Sequence, residues 1–357
     1  MGEVVNRRTR IVIALVALGL VALGACSRAG GDTEQALMRD QGPAAELRLG
    51  FFPNLTHGPA LIGLEKNLFT RELGSTALTP IEFKAGGDAI AALFGGSVDA
   101  TFIGPGPAIN GFVKSDGQKV RLVAGVATGG AQLVVKPDIT TEADLIGTTI
   151  VTPQKGNTQD IALKKWLTEK ELTDKVTVQN TENALTLEQF RKGSVQGAWL
   201  PEPWASRLVL DSGAKVFVDE KDLWPDGKFP TTVLIVRTDY LKQHPQTIQA
   251  LVRGLSASID LANHHPTEAK AAINAQLKAL SGQALSQPVL DRAFDNIGFE
   301  LDPHAALFPQ LAKDAVTAGI FDSAPNLTSF IDLTALNAVL TTAGKPTIDA
   351  AGLDKQD

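Results

Sequence analysis

Cysteine is almost absent from this chain: Cys26 is the only one in 357 residues. One thiol cannot close an internal disulfide or build a multi-thiolate zinc site. Histidine is scarce too, at five. The His264-His265 pair precedes Pro266 at a helix start and reads as a solvated cap region rather than a metal site. The chain has no Gly-x-Ser-x-Gly elbow, no phosphate-binding Gly-x-x-x-x-Gly-Lys-Ser/Thr loop and no His-Glu-x-x-His. Gly104-Pro105-Gly106-Pro107 is glycine-rich but misses the dinucleotide spacing, and its prolines lack the N–H groups that cradle a pyrophosphate. Positive charge is in deficit: 33 Lys and Arg face 39 Asp and Glu, a net −6. Such a balance argues against nucleic acid and against lying flat on anionic lipid. No apolar run is long enough to span a bilayer.

One apolar run stands out, short as it is. Ile11 to Leu23 follows Arg7, Arg8 and Arg10 and ends in Leu23-Gly24-Ala25-Cys26. The pattern resembles a bacterial lipoprotein signal, in which the peptide is cut before a cysteine that carries a diacylglycerol. Cys26 is then the lipidation site, and no thiol is left for nucleophilic chemistry. About 330 residues remain, and removing Arg7, Arg8, Arg10 and Glu3 takes the net charge from −6 to −8. That length supports two lobes with separate cores. Residues 26–45 are rich in Gly, Ala and polar types and read as a flexible tether.

The body alternates strands with helices. Leu47-Arg48-Leu49-Gly50-Phe51, Ile81-Glu82-Phe83 and 98–103 read as strands, each followed by a polar or glycine-rich turn and a helix. The unit recurs at 148–151, 176–178 and 198–200. This argues for an α/β fold with a mainly parallel sheet. Residues 96–108, Gly-Ser-Val-Asp-Ala-Thr-Phe-Ile-Gly-Pro-Gly-Pro-Ala, lie over 193–205, Gly-Ser-Val-Gln-Gly-Ala-Trp-Leu-Pro-Glu-Pro-Trp-Ala, without a gap. The register predicts a duplicated unit. Val233-Leu234-Ile235-Val236 reads as a strand returning to the first lobe. From Tyr240 onward the chain reads as helices, with Ile248, Leu251, Val252, Leu255 and Ile259 as a core stripe.

Five turns carry the candidate site, each expected to open a helix: Asn54-Leu55-Thr56-His57-Gly58, Ala85-Gly86-Gly87-Asp88, Gly104-Pro105-Gly106, Thr128-Gly129-Gly130-Ala131-Gln132 and Gly156-Asn157-Thr158. Helix starts present unpaired N–H groups and partial positive charge, so several converging ones bind a small oxyanion without Lys or Arg. Each turn has a second reading, because Thr and Asn are also ordinary N-caps.

The chain resembles the substrate-binding components of ABC importers for nitrate, sulfonate and taurine, which include binders of thiamine-pyrimidine precursors. The resemblance rests on 47–53 with His57, on 92–100, on 145–150 and on 198–205. It implies a periplasmic-binding-protein-like α/β fold, two lobes joined by two hinge strands near Leu133-Val134-Val135 and Val233-Leu234-Ile235. Lobe 1 is expected over 46–134 plus 234–357 and lobe 2 over 135–233, after the signal peptide at 1–25. The ligand would sit between them against Asn54, Thr56, His57, Gly86, Gly87, Gly104, Pro105, Gly129, Gly130, Gln132, Asn157, Thr158, Trp199 and Glu202. No catalytic residue, cofactor or metal is expected.

The implied role is delivery of a small organic anion to a permease and its ATPase subunit from the extracytoplasmic face of the plasma membrane. A lipid on Cys26 would hold the chain there as a monomer. An aliphatic sulfonate or taurine is the first choice, because Phe52, Phe102, Trp199 and Trp204 suit a ligand with an apolar part. Nitrate, bicarbonate and a pyrimidine precursor are the alternatives, with a tethered sensor or a pyrimidine-forming enzyme behind them. Trp199 has two readings, ligand contact or strand core. Glu202, stiffened between Pro201 and Pro203, would face the cleft and pair with a ligand amine; otherwise it points to solvent or pairs with Arg207.

Overall fold

The computed structural model describes residues 39–355. Cys26, the signal segment and most of the expected tether lie outside them. The last tether residues do not read as free. Gln41 N–H donates to Gln243 O at 2.7 Å, Ala44 N–H to Thr247 Oγ1 at 2.8 Å, and Thr76 Oγ1 to Ala44 O at 2.6 Å. The folded body therefore begins some five residues earlier than the composition suggests.

Two sheets organise the chain. Sheet A holds β1 (Glu46–Phe51), β2 (Ala77–Glu82), β3 (Ala100–Ile103), β4 (Val120–Gly129), β10 (Pro230–Arg237) and β11 (Ile297–Phe299), in the order β11-β4-β10-β3-β1-β2. Sheet B holds β5 (Ala131–Val135), β6 (Thr149–Thr152), β7 (Thr177–Asn180), β8 (Gly197–Pro201) and β9 (Lys215–Asp219), in the order β7-β6-β8-β5-β9. The fold is two α/β lobes. Sheet B shows why apolar residues run on without polar alternation. Leu133, Val135, Ile150 and Trp199 pack one face, against Trp166. Val134, Val151, Ala198 and Leu200 pack the other, against Phe190 and Leu208. Successive side chains point to opposite faces, and helices cover both.

The 96–108 over 193–205 register reflects a topological repeat. β3 pairs parallel with β1 and antiparallel with β10; β8 pairs parallel with β6 and antiparallel with β5. The partner registers match as well: Leu49 stands beside Ala100 and Ile150 beside Gly197, and positions 100 and 197 coincide in the alignment. The helices following the strands are α1 (Gly58–Glu65), α2 (Leu68–Leu73), α3 (Gly86–Phe94) and α4 (Pro105–Lys114) in the first lobe. In the second they are α5 (Thr158–Glu169), α6 (Asn183–Arg191) and α7 (Trp204–Ser212).

The chain crosses between sheets at Gly129-Gly130 and returns through the short turns Glu220–Leu223 and Pro225–Gly227. Both glycines have positive φ, 68° and 70°, and a Cβ on Gly130 would stand 2.5 Å from Ile297 Cγ1. Only glycine fits that turn without strain. Two expectations are corrected here. Thr128 to Gln132 opens no helix; it joins two strands, because β-branched and apolar residues flank the Gly-Gly pair on both sides. Leu133-Val134-Val135 and Val233-Leu234-Ile235 are not the crossings but inner strands of their sheets.

The C-terminal region adds α8 (Thr238–Gln243), α9 (Pro245–His264), α10 (Pro266–Ser281), α11 (Gln287–Asp295), α12 (Phe308–Thr317) and α13 (Thr334–Thr342). The expected stripe on α9 is core: Ile248, Leu251, Val252 and Leu255 are fully buried. α11 packs against α7 and α12 against α5, so first-lobe helices reach across to the second lobe. No helix among the described residues is long and apolar enough to cross a membrane.

Candidate functional site

The carboxyl ends of β1 and β3 in one lobe and β6 and β8 in the other face a shared interior, where loops from both sheets enclose a cavity of about 40 Å³. Open parallel sheets bind ligands at these strand ends. Asn54, Thr56, His57, Gly104, Asn157 and Thr158 all line the cavity. A water-sized group needs about 10–15 Å³ on this scale. The space thus takes a small polar head such as a sulfonate or nitrate, and little more.

Helix starts ring it. The turn Leu55–His57 leads into α1, Gly104 immediately precedes α4, and Asn157 immediately precedes α5. Neither the Asn54 nor the Asn157 side chain makes a capping hydrogen bond. The capping reading of these two residues therefore fails on geometry. Asn54 Oδ1 instead accepts from Trp204 Nε1 of the opposite lobe at 2.8 Å. Thr158 Oγ1 accepts from Gly106 N–H across the same gap at 3.2 Å. A Cβ on Gly104 would meet Thr158 Oγ1 at 2.4 Å, so glycine there lets the lobes approach.

His57 is 2% exposed and stacks on Phe52 with ring centroids 4.6 Å apart. Phe52 N–H donates to His57 Nδ1 at 3.3 Å. A nitrogen that accepts carries no proton, so Nε2 is the N–H of a neutral ring. Burial pushes its pKa down to about 3, so the ring stays neutral at physiological pH. Among the described residues Lys84 is the one cationic side chain of the cavity lining, and its Nζ pairs with Glu182 Oε1 of the other lobe at 3.0 Å.

The remaining expected residues lie elsewhere. Gly86 and Gly87 start α3 just behind the wall, where Gly87 N–H donates to Gln154 Oε1 at 3.1 Å. Pro105 is the buried first residue of α4, and Gly129 and Gly130 form the crossing. Trp199 belongs to the second-lobe core, resolving its two readings: it packs on Trp166, and its Nε1 donates to Glu220 Oε2 at 2.9 Å. Glu220 is buried and its Oε1 has no hydrogen-bond partner among the described residues; desolvation pushes its pKa up to about 8.

Glu202 is also a correction. It is fully buried and meets neither the cavity, solvent nor Arg207. Its Oε1 accepts from Arg292 Nη1 at 3.1 Å and Asn296 Nδ2 at 2.8 Å, and its Oε2 from Ser206 N–H at 3.0 Å. Arg292 also donates to Ser206 Oγ at 2.6 Å and to Gln132 Oε1 at 2.7 Å. Gln132 and Glu202 thus serve a clasp between α11 of the first lobe and the second lobe. Arg207 lies over the Trp204 ring instead, at 5.1 Å.

Lys84 and Asn183 were missed by reading the sequence. Each sits just beyond a strand end, Lys84 after β2 and Asn183 after β7, and the strand-end rule alone could have flagged them. Lys84 and Glu182 even hold equivalent places, both two residues past their strands.

Comparisons with known proteins fit this architecture. The taurine-binding periplasmic protein of Escherichia coli (strain K12) is 27% identical over 199 residues, 55% of this chain. The match spans 60% of that relative's length. The alkanesulfonate-binding protein from Xanthomonas axonopodis pv. citri, solved with MOPS bound, superposes with a TM-score of 0.66 at 21% identity, covering 79% of this chain and 95% of its own. The periplasmic nitrate-binding protein from Synechocystis PCC 6803 gives 0.72 at 13% identity, over 85% and 90%. The model of the NMT1-like family matches residues 40–277, more than half of the chain. On that match, this chain belongs to the NMT1-like family.

Proposed function

We propose that this chain is the extracytoplasmic solute-binding component of an ABC importer and that it captures a small organic anion, an aliphatic sulfonate or taurine, between its lobes. The observation that carries this reading is the interlobe cavity ringed by helix starts and neutral donors. An anionic head there meets His57 Nε2–H, the hydroxyls and amides of Thr56, Asn157 and Thr158, and the positive ends of α1, α4 and α5. Such groups hold an oxyanion without the cost of burying a bare cation. The lobes built on sheet A and on sheet B act as the two jaws. The chain binds and releases; it does no chemistry on its solute. A permease and its ATPase subunit receive the solute, and a lipid on Cys26 keeps the monomer at the membrane.

Bare nitrate also fits 40 Å³, so a thermal-shift series decides between heads. Taurine or ethanesulfonate at 100 times its dissociation constant should add about 2.7 kcal/mol of stability, with nitrate and bicarbonate well below. A shift with nitrate alone would replace the sulfonate reading. Thr56→Ala and Asn157→Ala should each weaken sulfonate binding about tenfold, the worth of a hydrogen bond to a charged group. Wild-type affinity in both variants would remove these residues from the site. Cys26→Ser should move the protein from the membrane fraction to the soluble one with affinity unchanged. Continued membrane fractionation would refute the anchor.

A further inference from the structure

The head cavity does not end the space between the lobes. A larger cleft of about 590 Å³ shares Asn54, Lys84 and Asn183 with it. That volume lies in the range of sites that bury whole drug-sized ligands, far more than an ethyl chain requires. Its walls come from both lobes. Leu187 and Trp204 on one side and Leu277, Leu280 and Val289 on the other supply apolar surface, in a lining that also carries Glu82, Glu182, Arg207 and Asp211. At the junction of the two spaces stands Asn183, 8% exposed, whose Oδ1 is buried without a hydrogen-bond partner among the described residues. An orphaned buried acceptor costs stability unless something donates to it. A plain alkanesulfonate has no donor to offer.

We infer that the preferred solute is an aminoalkanesulfonate whose nitrogen carries a bulky apolar acyl or aryl group. This rests on the proposed sulfonate site and extends it. The sulfonate fills the small cavity, the N–H falls at the junction and satisfies Asn183 Oδ1, and the apolar body occupies the larger cleft. Taurine itself leaves the apolar surfaces of the cleft uncovered. The conjugate keeps one N–H and buries its ring or chain against them.

Calorimetry on the full chain tests this with four probes: ethanesulfonate, taurine, N-benzoyltaurine, and the benzoate ester of 2-hydroxyethanesulfonate, which matches the amide in bulk but has no N–H. The amide should bind at least tenfold tighter than taurine and about fivefold tighter than the ester. Ala284 is exposed on the cleft wall. Ala284→Trp should weaken the benzoyl amide at least tenfold and leave ethanesulfonate within twofold. Taurine binding as tightly as the amide, an ester equal to the amide, or a tryptophan that affects both sulfonates alike would each overturn the inference while leaving the head site standing. Failure of all four probes would overturn the head site as well.

Discussion

Arg292→Leu is expected to cost about 3–5 kcal/mol of folding stability, the effect of removing one partner of a buried ion pair. Glu202 has no exposed surface and cannot be rehydrated in place. Burial already pushes its carboxyl up, against the pull of Asn296, Ser206 and Arg292. Without the guanidinium, two neutral donors face a charge deep between the lobes. The carboxylate escapes by taking a proton, so the loss should shrink as pH falls toward 5. The double variant Glu202→Gln with Arg292→Leu should recover part of it at neutral pH, because no charge is left behind. Urea unfolding of the wild type and the two variants at pH 7 and pH 5 measures this. A loss under 1 kcal/mol, the same at both pH values, would mean that Arg292 lies on the surface in solution.

The second large effect is in the pH profile of stability. His57 has a folded pKa of about 3 against 6.5 when exposed. Its contribution is complete above 6.5 and is lost as pH falls toward 3, because only the unfolded chain takes up the proton. Glu220 runs the other way. Its folded pKa is about 8 against 4.5, so its contribution is complete below 4.5 and is lost as pH rises to 8. Between 4.5 and 6.5 the two slopes cancel. From 6.5 to 8 the Glu220 slope is no longer offset by His57 and removes about 2 kcal/mol, at 1.36 kcal/mol per pH unit; His304, whose pKa is raised by its hydrogen bond to Glu300, adds to the same limb. Glu220→Gln should reduce that alkaline limb and leave the acid limb in place. Denaturant midpoints from pH 4 to 9 decide it; an alkaline limb unchanged in the variant would place its origin elsewhere.

The fold was legible because its grammar is local. Strand, polar turn and helix follow one another within a few residues, and the Gly-Ser register between 96–108 and 193–205 survives in the pairing of β3 and β8. The turns at Asn54 to His57, Gly104 and Asn157 to Thr158 were found for the same reason: each follows its own strand. What failed depended on distant partners. Pro201-Glu202-Pro203 gives no hint of Arg292, ninety residues on in an amphipathic helix that looks like surface, so Arg207 seemed the natural cation. Trp199 was ambiguous because its indole partner, Glu220, sits in the returning turn. Gly129-Gly130 looked like a helix start because a glycine pair suits a helix start and a strand crossing equally well. Asn183 looked like an ordinary residue at a helix start, and nothing nearby in sequence shows that its carbonyl oxygen goes unpaired.

The lobes touch through their own side chains, Trp204 to Asn54, Gly106 to Thr158, and Arg292 to Glu202, Ser206 and Gln132. Parting the lobes means breaking these bonds, and on the proposed function solute enters as they part. Entry is then gated by a fluctuation of the protein rather than by diffusion, and its rate falls well below the encounter limit. Exit must break the same bonds, so it slows as well. On that reading, a slow gate leaves affinity to the cavity while lengthening the time a bound solute stays in place. For a carrier that must find its receiver before letting go, dwell time matters as much as affinity.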